Sequence, residues 1–79
     1  MTAEAAAQLD ALQEPIHTRV TILLERLASW PAVSGAKRLG GKLAGRWRLR
    51  TGDYRLQFWV EGNKIVVEKI GHRGRFYGN

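Results

Sequence analysis

The 79-residue chain contains no cysteine and only two histidines, and no apolar run approaches the ~20 residues of a membrane span. The absence of cysteine excludes a disulfide framework and a thiolate metal site. His17 and His72 lie too far apart in the sequence to suggest a metal site, so we expect neither metal nor cofactor. The N-terminus lacks the basic and then apolar stretches of a secretory signal. We therefore expect a single cytoplasmic domain over residues 1–79, with no membrane partner.

Acidic residues are scarce in the second half of the chain. Residues 1–35 carry two arginines against four carboxylates, whereas residues 36–79 carry eleven lysines and arginines against three. Such an imbalance in a short chain predicts a polyanionic partner for the second half. Nucleic acid is the leading candidate, and an acidic protein is the alternative.

The first 30 residues have the pattern of a helical hairpin, residues 2–30. Thr2 is a plausible N-cap for a first helix that extends to Gln13. Pro15 suits the first turn of a second helix. Its apolar stripe is formed by Ile16, Val20, Leu23, Leu24 and Leu27. Trp30-Pro31 is expected to end that helix.

Residues 31–45 combine four glycines with Lys37, Arg38 and Lys42, which predicts a basic, glycine-rich loop. No strand leads into these glycines, and no Gly-Lys-Ser/Thr follows them. The segment is therefore not a phosphate-binding P-loop.

From Arg46 to Tyr77 the apolar period changes to two, which predicts an antiparallel sheet. Gly52-Asp53 and Gly62-Asn63 are two-residue hairpin turns. The first turn pairs Arg50 with Arg55 and Arg48 with Gln57. The second pairs Phe58 with Val67, Gln57 with Glu68 and Arg55 with Ile70.

This register separates the side chains into an apolar face for the helices and a second face, here called the basic face. The apolar face has these members: Trp47, Leu49, Leu56, Phe58, Val60, Ile65 and Val67. The basic face has these: Arg46, Arg48, Arg50, Arg55, Gln57, Trp59, Val66 and Glu68. A slip by one residue would bury the arginines, so this register is strongly favoured.

The basic face is interpreted in two ways. Like charges on neighbouring strands destabilise a sheet, so the arginines are either a solvated surface or a phosphate-binding one. We expect Arg46, Arg48, Arg50 and Lys42 to contact RNA. Trp59 either stacks on a base or shields the sheet.

Residues 46–77, RWRLRTGDYRLQFWVEGNKIVVEKIGHRGRFY, resemble the RelE/ParE superfamily of bacterial toxins, and the amphipathic helices upstream are similar to the helical hairpin of that family. The resemblance implies an α+β fold in which a helical hairpin packs on a three- to four-stranded antiparallel sheet. Family members usually begin with a strand before the first helix, and Met1 stands where that strand should already have ended; either the start is truncated or misassigned, or a partner fills the vacant position in the sheet. The sheet edge left open would favour a homodimer, or an antitoxin strand and a heterotetramer.

The resemblance also implies a function. RelE-like members cut messenger RNA on the ribosome, whereas ParE-like members inhibit DNA gyrase without nuclease residues, and a cognate antitoxin silences both. The basic and aromatic positions of RelE fall on Arg46, Arg48, Arg55, Arg73 and Tyr77, which favours the nuclease. An inactive relative that mainly binds its antitoxin is a third reading.

The expected roles follow from the same resemblance. Arg55 and Arg73 would stabilise the transition state, and Tyr77 would orient the nucleotide. RelE has lysines at Arg46 and Arg48, and an arginine is a poor general base. The proton acceptor thus remains open between Glu68, which could instead be a counter-ion, and His72, which could instead be a structural turn residue.

Overall fold

The computed structural model describes the backbone of residues 1–76 and the side chains of residues 1–74. Two helices, α1 (Ala3–Asp10) and α2 (Ile16–Arg26), lie on one face of a four-stranded antiparallel sheet. The order of the strands across the sheet is the order along the chain: β1 (Lys37–Arg38), β2 (Arg46–Thr51), β3 (Tyr54–Glu61) and β4 (Lys64–His72). The predicted α+β fold is confirmed.

Both helices are shorter than the sequence predicted. The hydroxyl of Thr2 accepts a hydrogen bond from the Ala5 amide, so the expected N-cap is confirmed. At the other end, the Leu12 amide donates to the Leu9 carbonyl, an i−3 bond that tightens the chain and ends α1 before Gln13. The second helix ends at Arg26 and not at Trp30, because a 3-10 turn, Leu27–Ser29, connects it to Trp30-Pro31.

The two central hairpins form where the glycines predict them. Gly52 and Gly62 have φ values of 59° and 60°, whereas only glycines have a positive φ in the part of the chain that the structure describes. A glycine with positive φ at the first turn position is typical of type II′ turns, whose twist matches that of the flanking strands. The turn geometry fixes the pairing of β2 with β3, in which Arg50 lies opposite Arg55 and Arg48 opposite Gln57, as predicted.

The predicted pairing of β3 with β4 is confirmed from the Gly62-Asn63 turn as far as Phe58, which lies opposite Val67. A bulge between Gln57 and Phe58 then shifts the register, so Gln57 lies opposite Lys69 rather than Glu68. Arg55 correspondingly faces Gly71 and not Ile70. The bulge places Ile70 on the apolar face, where it is 2% exposed, so burial of this side chain favours the shifted register.

Two other expectations for the second half need correction. The segment 31–45 is not simply a loop, since it contains β1 and a 3-10 turn, Gly41–Leu43. The predicted sheet over 46–77 is also too long within the described residues. The sheet ends at His72 and is followed by a short helix, α3 (Arg73–Phe76).

The core lies between the helices and the apolar face of the sheet. Val20 and Leu23 of α2 pack with Leu49, Leu56 and Phe58, all of which are buried. Trp30 closes one side of this core, with its ring edge-to-face to Trp47 at 4.8 Å and to Phe58 at 5.3 Å between centroids. Among the described residues, no helix is long and apolar enough to cross a membrane.

Helix α1 covers part of the outer edge of β4. The Thr2 amide donates to the Val67 carbonyl at 2.9 Å, and the Thr2 hydroxyl donates to the Glu68 carbonyl at 2.7 Å. Farther along, the Ile70 amide donates to the side-chain carbonyl of Gln8 at 2.7 Å. These bonds satisfy backbone groups that an uncovered edge strand would offer to another chain.

Replacing Thr2 with alanine should destabilise the fold because one hydroxyl serves both as the helix cap and as a partner of the bulged strand. We expect a loss of about 1 kcal/mol in the free energy of unfolding, which corresponds to a fall of roughly 4–8 °C in Tm for a chain of this size. Thermal denaturation followed by circular dichroism measures it. Thr2→Ser keeps the hydroxyl and should stay near the wild-type Tm; equal losses in both variants would contradict this role.

Candidate nucleic-acid interface

The basic face is organised in rows that cross the sheet. The central row runs from Lys37 on β1 through Arg48 and Gln57 to Lys69 on β4. Directly opposed residues of an antiparallel sheet share a face, so this row holds three cations, two of which, Arg48 and Lys69, flank Gln57. The structure thereby adds Lys37 and Lys69 to the basic face.

The second row lies nearer the Gly52-Asp53 turn and contains Arg50, Arg55 and Gly71. Arg50 is exposed and Arg55 is half-buried. Two guanidinium groups on directly opposed positions repel each other, and no carboxylate lies in this row. An anion bound between them would relieve the repulsion.

The third row lies at the other end of β2, contains Arg46, Trp59 and Val66, and is largely neutralised. The Glu68 carboxylate accepts hydrogen bonds from Nε of Arg46 at 3.2 Å and from Nε2 of Gln57 at 2.8 Å. Although Glu68 does not lie opposite Gln57 in the register, the bulge still brings their side chains together. Arg46 is thus the one predicted contact residue that the structure provides with an internal counter-ion among the described residues.

The protonation of Glu68 follows from its surroundings. Partial burial alone would raise the pKa of this carboxyl. Two effects lower the pKa: the hydrogen bonds from Gln57 and Arg46, and the positive charges of Arg46 and Lys69. Together they outweigh burial, so the pKa of Glu68 lies below its ordinary value. Glu68 is therefore ionised near neutral pH and has the surroundings of a counter-ion.

Trp59 is engaged within the same row. The Arg46 guanidinium carbon lies over its ring, 5.3 Å from the centroid. The indole nitrogen donates to Glu61 at 3.0 Å. These contacts favour a shielding role for Trp59, because Arg46 covers one side of the ring that a base would stack on.

His72 is not on the basic face. It lies opposite Tyr54, which belongs to the helix-covered face, and the two rings meet edge-to-face at 5.3 Å between centroids. Its Nδ1 accepts a hydrogen bond from the Gly74 amide at 3.1 Å. The structure therefore separates His72 from the arginines whose chemistry it was expected to serve.

The remaining predicted residues lie at the two ends of the sheet. The Arg73 amide donates to the Asp53 carbonyl at 2.7 Å, which holds this exposed residue beside the first hairpin turn. Lys42 is exposed in the 3-10 turn that leads into Arg46, at the opposite end. Tyr77 lies outside the described residues.

Two buried polar atoms of the basic face have no hydrogen-bond partner among the described residues. One is Nη1 of Arg55, a donor, and the other is Oε1 of Gln57, an acceptor. Buried polar groups are nearly always paired, so an unpaired donor and acceptor two residues apart on one strand require an explanation.

Sequence reasoning missed Lys37 and Lys69 for different reasons. Lys37 lies in a glycine-rich segment whose two-residue strand leaves no periodic pattern. In the predicted regular register, Lys69 does not lie on the basic face. That register also leaves the apolar Ile70 out of the core, and this was the one signal of the bulge in the sequence.

Comparisons with known proteins agree with this architecture. The family model described as ParE toxin of type II toxin-antitoxin system, parDE, matches residues 1–77. A chain of the toxin-antitoxin complex RelBE2 from Mycobacterium tuberculosis is 27% identical over 91% of each chain, with a TM-score of 0.77. A chain of the RelB-RelE antitoxin-toxin complex from Methanococcus jannaschii is 20% identical, with coverage of 92% of this chain and 88% of that one, and has the same fold with a TM-score of 0.75. No curated protein sequence matches significantly.

The lowered pKa of Glu68 predicts a pH-dependent stability. Because this pKa is lower in the folded chain than in the unfolded chain, ionised Glu68 stabilises the fold above its ordinary pKa, and that contribution is lost as the pH falls through the folded-state pKa. In urea denaturation, Glu68→Gln should lose less stability than the wild type between neutral and acidic pH.

Glu25→Gln, which removes an exposed carboxylate of α2, controls for the change in net charge. Parallel pH profiles for the wild type and Glu68→Gln would contradict the assignment.

Proposed function

The chain belongs to the ParE toxin family of type II toxin-antitoxin systems, and from the arginines of its basic face we propose that it is a ribosome-dependent endoribonuclease that cleaves messenger RNA and so inhibits translation. The observation that carries the proposal is the row of Arg50 and Arg55, two opposed arginines that form no ion pair with a carboxylate among the described residues. Arginine forks match phosphate oxygens, and the neighbouring row adds further cations along the path of an RNA backbone.

The proposed reaction is an intramolecular transfer within the RNA. The ribose 2′-oxygen bonds to the adjacent phosphorus, and the bond from phosphorus to the 5′-oxygen of the next nucleotide breaks. The 2′-hydroxyl loses its proton and the leaving oxygen gains one, so the products are a 2′,3′-cyclic phosphate and a 5′-hydroxyl. Arg55 and Arg73 stabilise the extra negative charge on the phosphoryl oxygens, while Arg48 binds the backbone.

Neither predicted proton acceptor is placed to take the proton of the 2′-hydroxyl. Glu68 is held as a counter-ion, and His72 points to the other face of the sheet. The protein's contribution in this proposal is therefore chiefly electrostatic and positional. The ribosome is the proposed source of the remaining contacts to the messenger RNA.

We also propose an antitoxin partner for this chain. The two structural relatives were solved as complexes of toxin and antitoxin. An antitoxin segment with acidic side chains would complement the basic face and compete with RNA for it.

Inhibition of DNA gyrase is the second candidate function. The description of the matched family, ParE toxin, favours it. So does the pairing of Glu68 with Arg46, which leaves the basic face better suited to binding than to proton transfer.

Induced expression of the chain should arrest translation and leave transcripts cut at ribosome-occupied codons. Arg55→Ala combined with Arg73→Ala should lower the cleavage rate by at least about 10²- to 10³-fold, the loss typical when a transition-state donor is removed. Primer extension on ribosome-bound messenger RNA measures the cleavage.

Arg19→Ala removes an exposed arginine of α2 and should leave cleavage unchanged. Intact transcripts accompanied by gyrase-linked DNA breaks would reject the nuclease in favour of the second candidate. The absence of both effects in cells that lack the antitoxin would reject both activities.

A further inference from the structure

The unpaired atoms of Arg55 and Gln57 lie on the same face of β3 because the two residues are separated by two positions. Their Cα atoms are therefore about 7 Å apart. Nη1 of Arg55 offers a hydrogen and Oε1 of Gln57 offers a lone pair, yet the two atoms do not bond to each other. The Gln57 side chain is only 2% exposed, so its oxygen lacks the solvent that usually satisfies a glutamine.

Glu68 determines which way the Gln57 amide points. An ionised carboxylate only accepts hydrogen bonds, so the amide must present its NH₂ group to Glu68, as the 2.8 Å contact from Nε2 records. Turning the amide over would place two oxygens against each other. The carbonyl oxygen is thereby held on the side of the amide that Glu68 does not occupy.

Binding of phosphate alone would leave the buried hydrogen-bond acceptor of Gln57 without a partner. Phosphate oxygens near neutral pH accept hydrogen bonds, so they suit Arg48 and Arg55 but not Oε1 of Gln57. The complementary ligand must accept from Arg55 and donate to Gln57 through one small group. A hydroxyl does both.

We propose that Arg55 and Gln57 form a subsite for the ribose 2′-hydroxyl of bound RNA, with Gln57 as a positioning residue. The proposal rests on the proposed nuclease function and names a determinant of its substrate class. Arg55 donates to the 2′-oxygen, and Gln57 accepts the hydrogen and so orients the hydroxyl. The 2′-hydroxyl distinguishes RNA from DNA, so Gln57 makes the basic face selective for RNA.

The cations beside Gln57 fit this arrangement. Arg48 and Lys69 flank it in the central row, so phosphates on either side of the ribose have cationic partners. Because Gln57 is buried, the hydroxyl reaches its oxygen only after neighbouring side chains of the basic face move aside.

The test compares binding of the full-length protein to matched single-stranded oligonucleotides, one of RNA, one of DNA and one of 2′-fluoro RNA, whose fluorine cannot donate. The wild type should bind RNA about three- to tenfold more tightly than either analogue, the range expected for one hydrogen bond. Gln57→Leu should reduce this preference to about one while it retains most of the affinity for DNA, since its arginines remain.

Gln13→Leu is the matched control, because it replaces an exposed glutamine between the helices, and it should keep the wild-type preference. Thermal melts establish that Gln57→Leu is folded; if it is not, the 2′-fluoro comparison on the wild type still decides. Equal wild-type binding to RNA and 2′-fluoro RNA, or an unchanged preference in folded Gln57→Leu, overturns the subsite while ribosomal cleavage stands. A wild type that binds no RNA and cleaves none overturns both the subsite and the nuclease.

Discussion

The alternation of apolar and basic side chains along β2 and β3, held in register by the Gly52-Asp53 turn, is the constraint on which the other features depend. With Leu49 opposite Leu56, the apolar residues of this hairpin other than Trp59 face the helices, and the arginines face away. Burial of the apolar side therefore forces the cations together on the other. The fold gathers like charges because its core requires this register.

The bulge in β4 limits the electrostatic repulsion that this gathering creates. By adding one residue, it keeps both Val67 and Ile70 in the core and places Glu68 and Lys69 in succession on the basic face. Glu68 then neutralises Arg46 and orients the Gln57 amide. One irregularity thus divides the basic face into a neutralised end and a cationic end, and only the cationic end is suited to a polyanion.

The sequence predicted the helices, the turns and the β2–β3 register, because each depends on local signals such as the glycines and the two-residue period. It did not predict β1, which is too short to have a period, or the bulge, whose cause is the tertiary burial of Ile70. The errors in the site follow from the same limit. His72 was grouped with the arginines by sequence proximity, but pairing with Tyr54 places it on the opposite face.

The cationic end of the basic face is the proposed binding surface for single-stranded RNA. The most direct measurement is a titration of the isotopically labelled protein with an RNA oligonucleotide, followed by amide and guanidinium NMR shifts at several salt concentrations. We expect shifts centred on Arg48, Arg50 and Arg55, and the logarithm of the association constant should fall by roughly 0.7 per contacted phosphate per decade of salt. Shifts confined to α1 and α2, or an affinity that does not depend on salt, would contradict the proposed RNA binding.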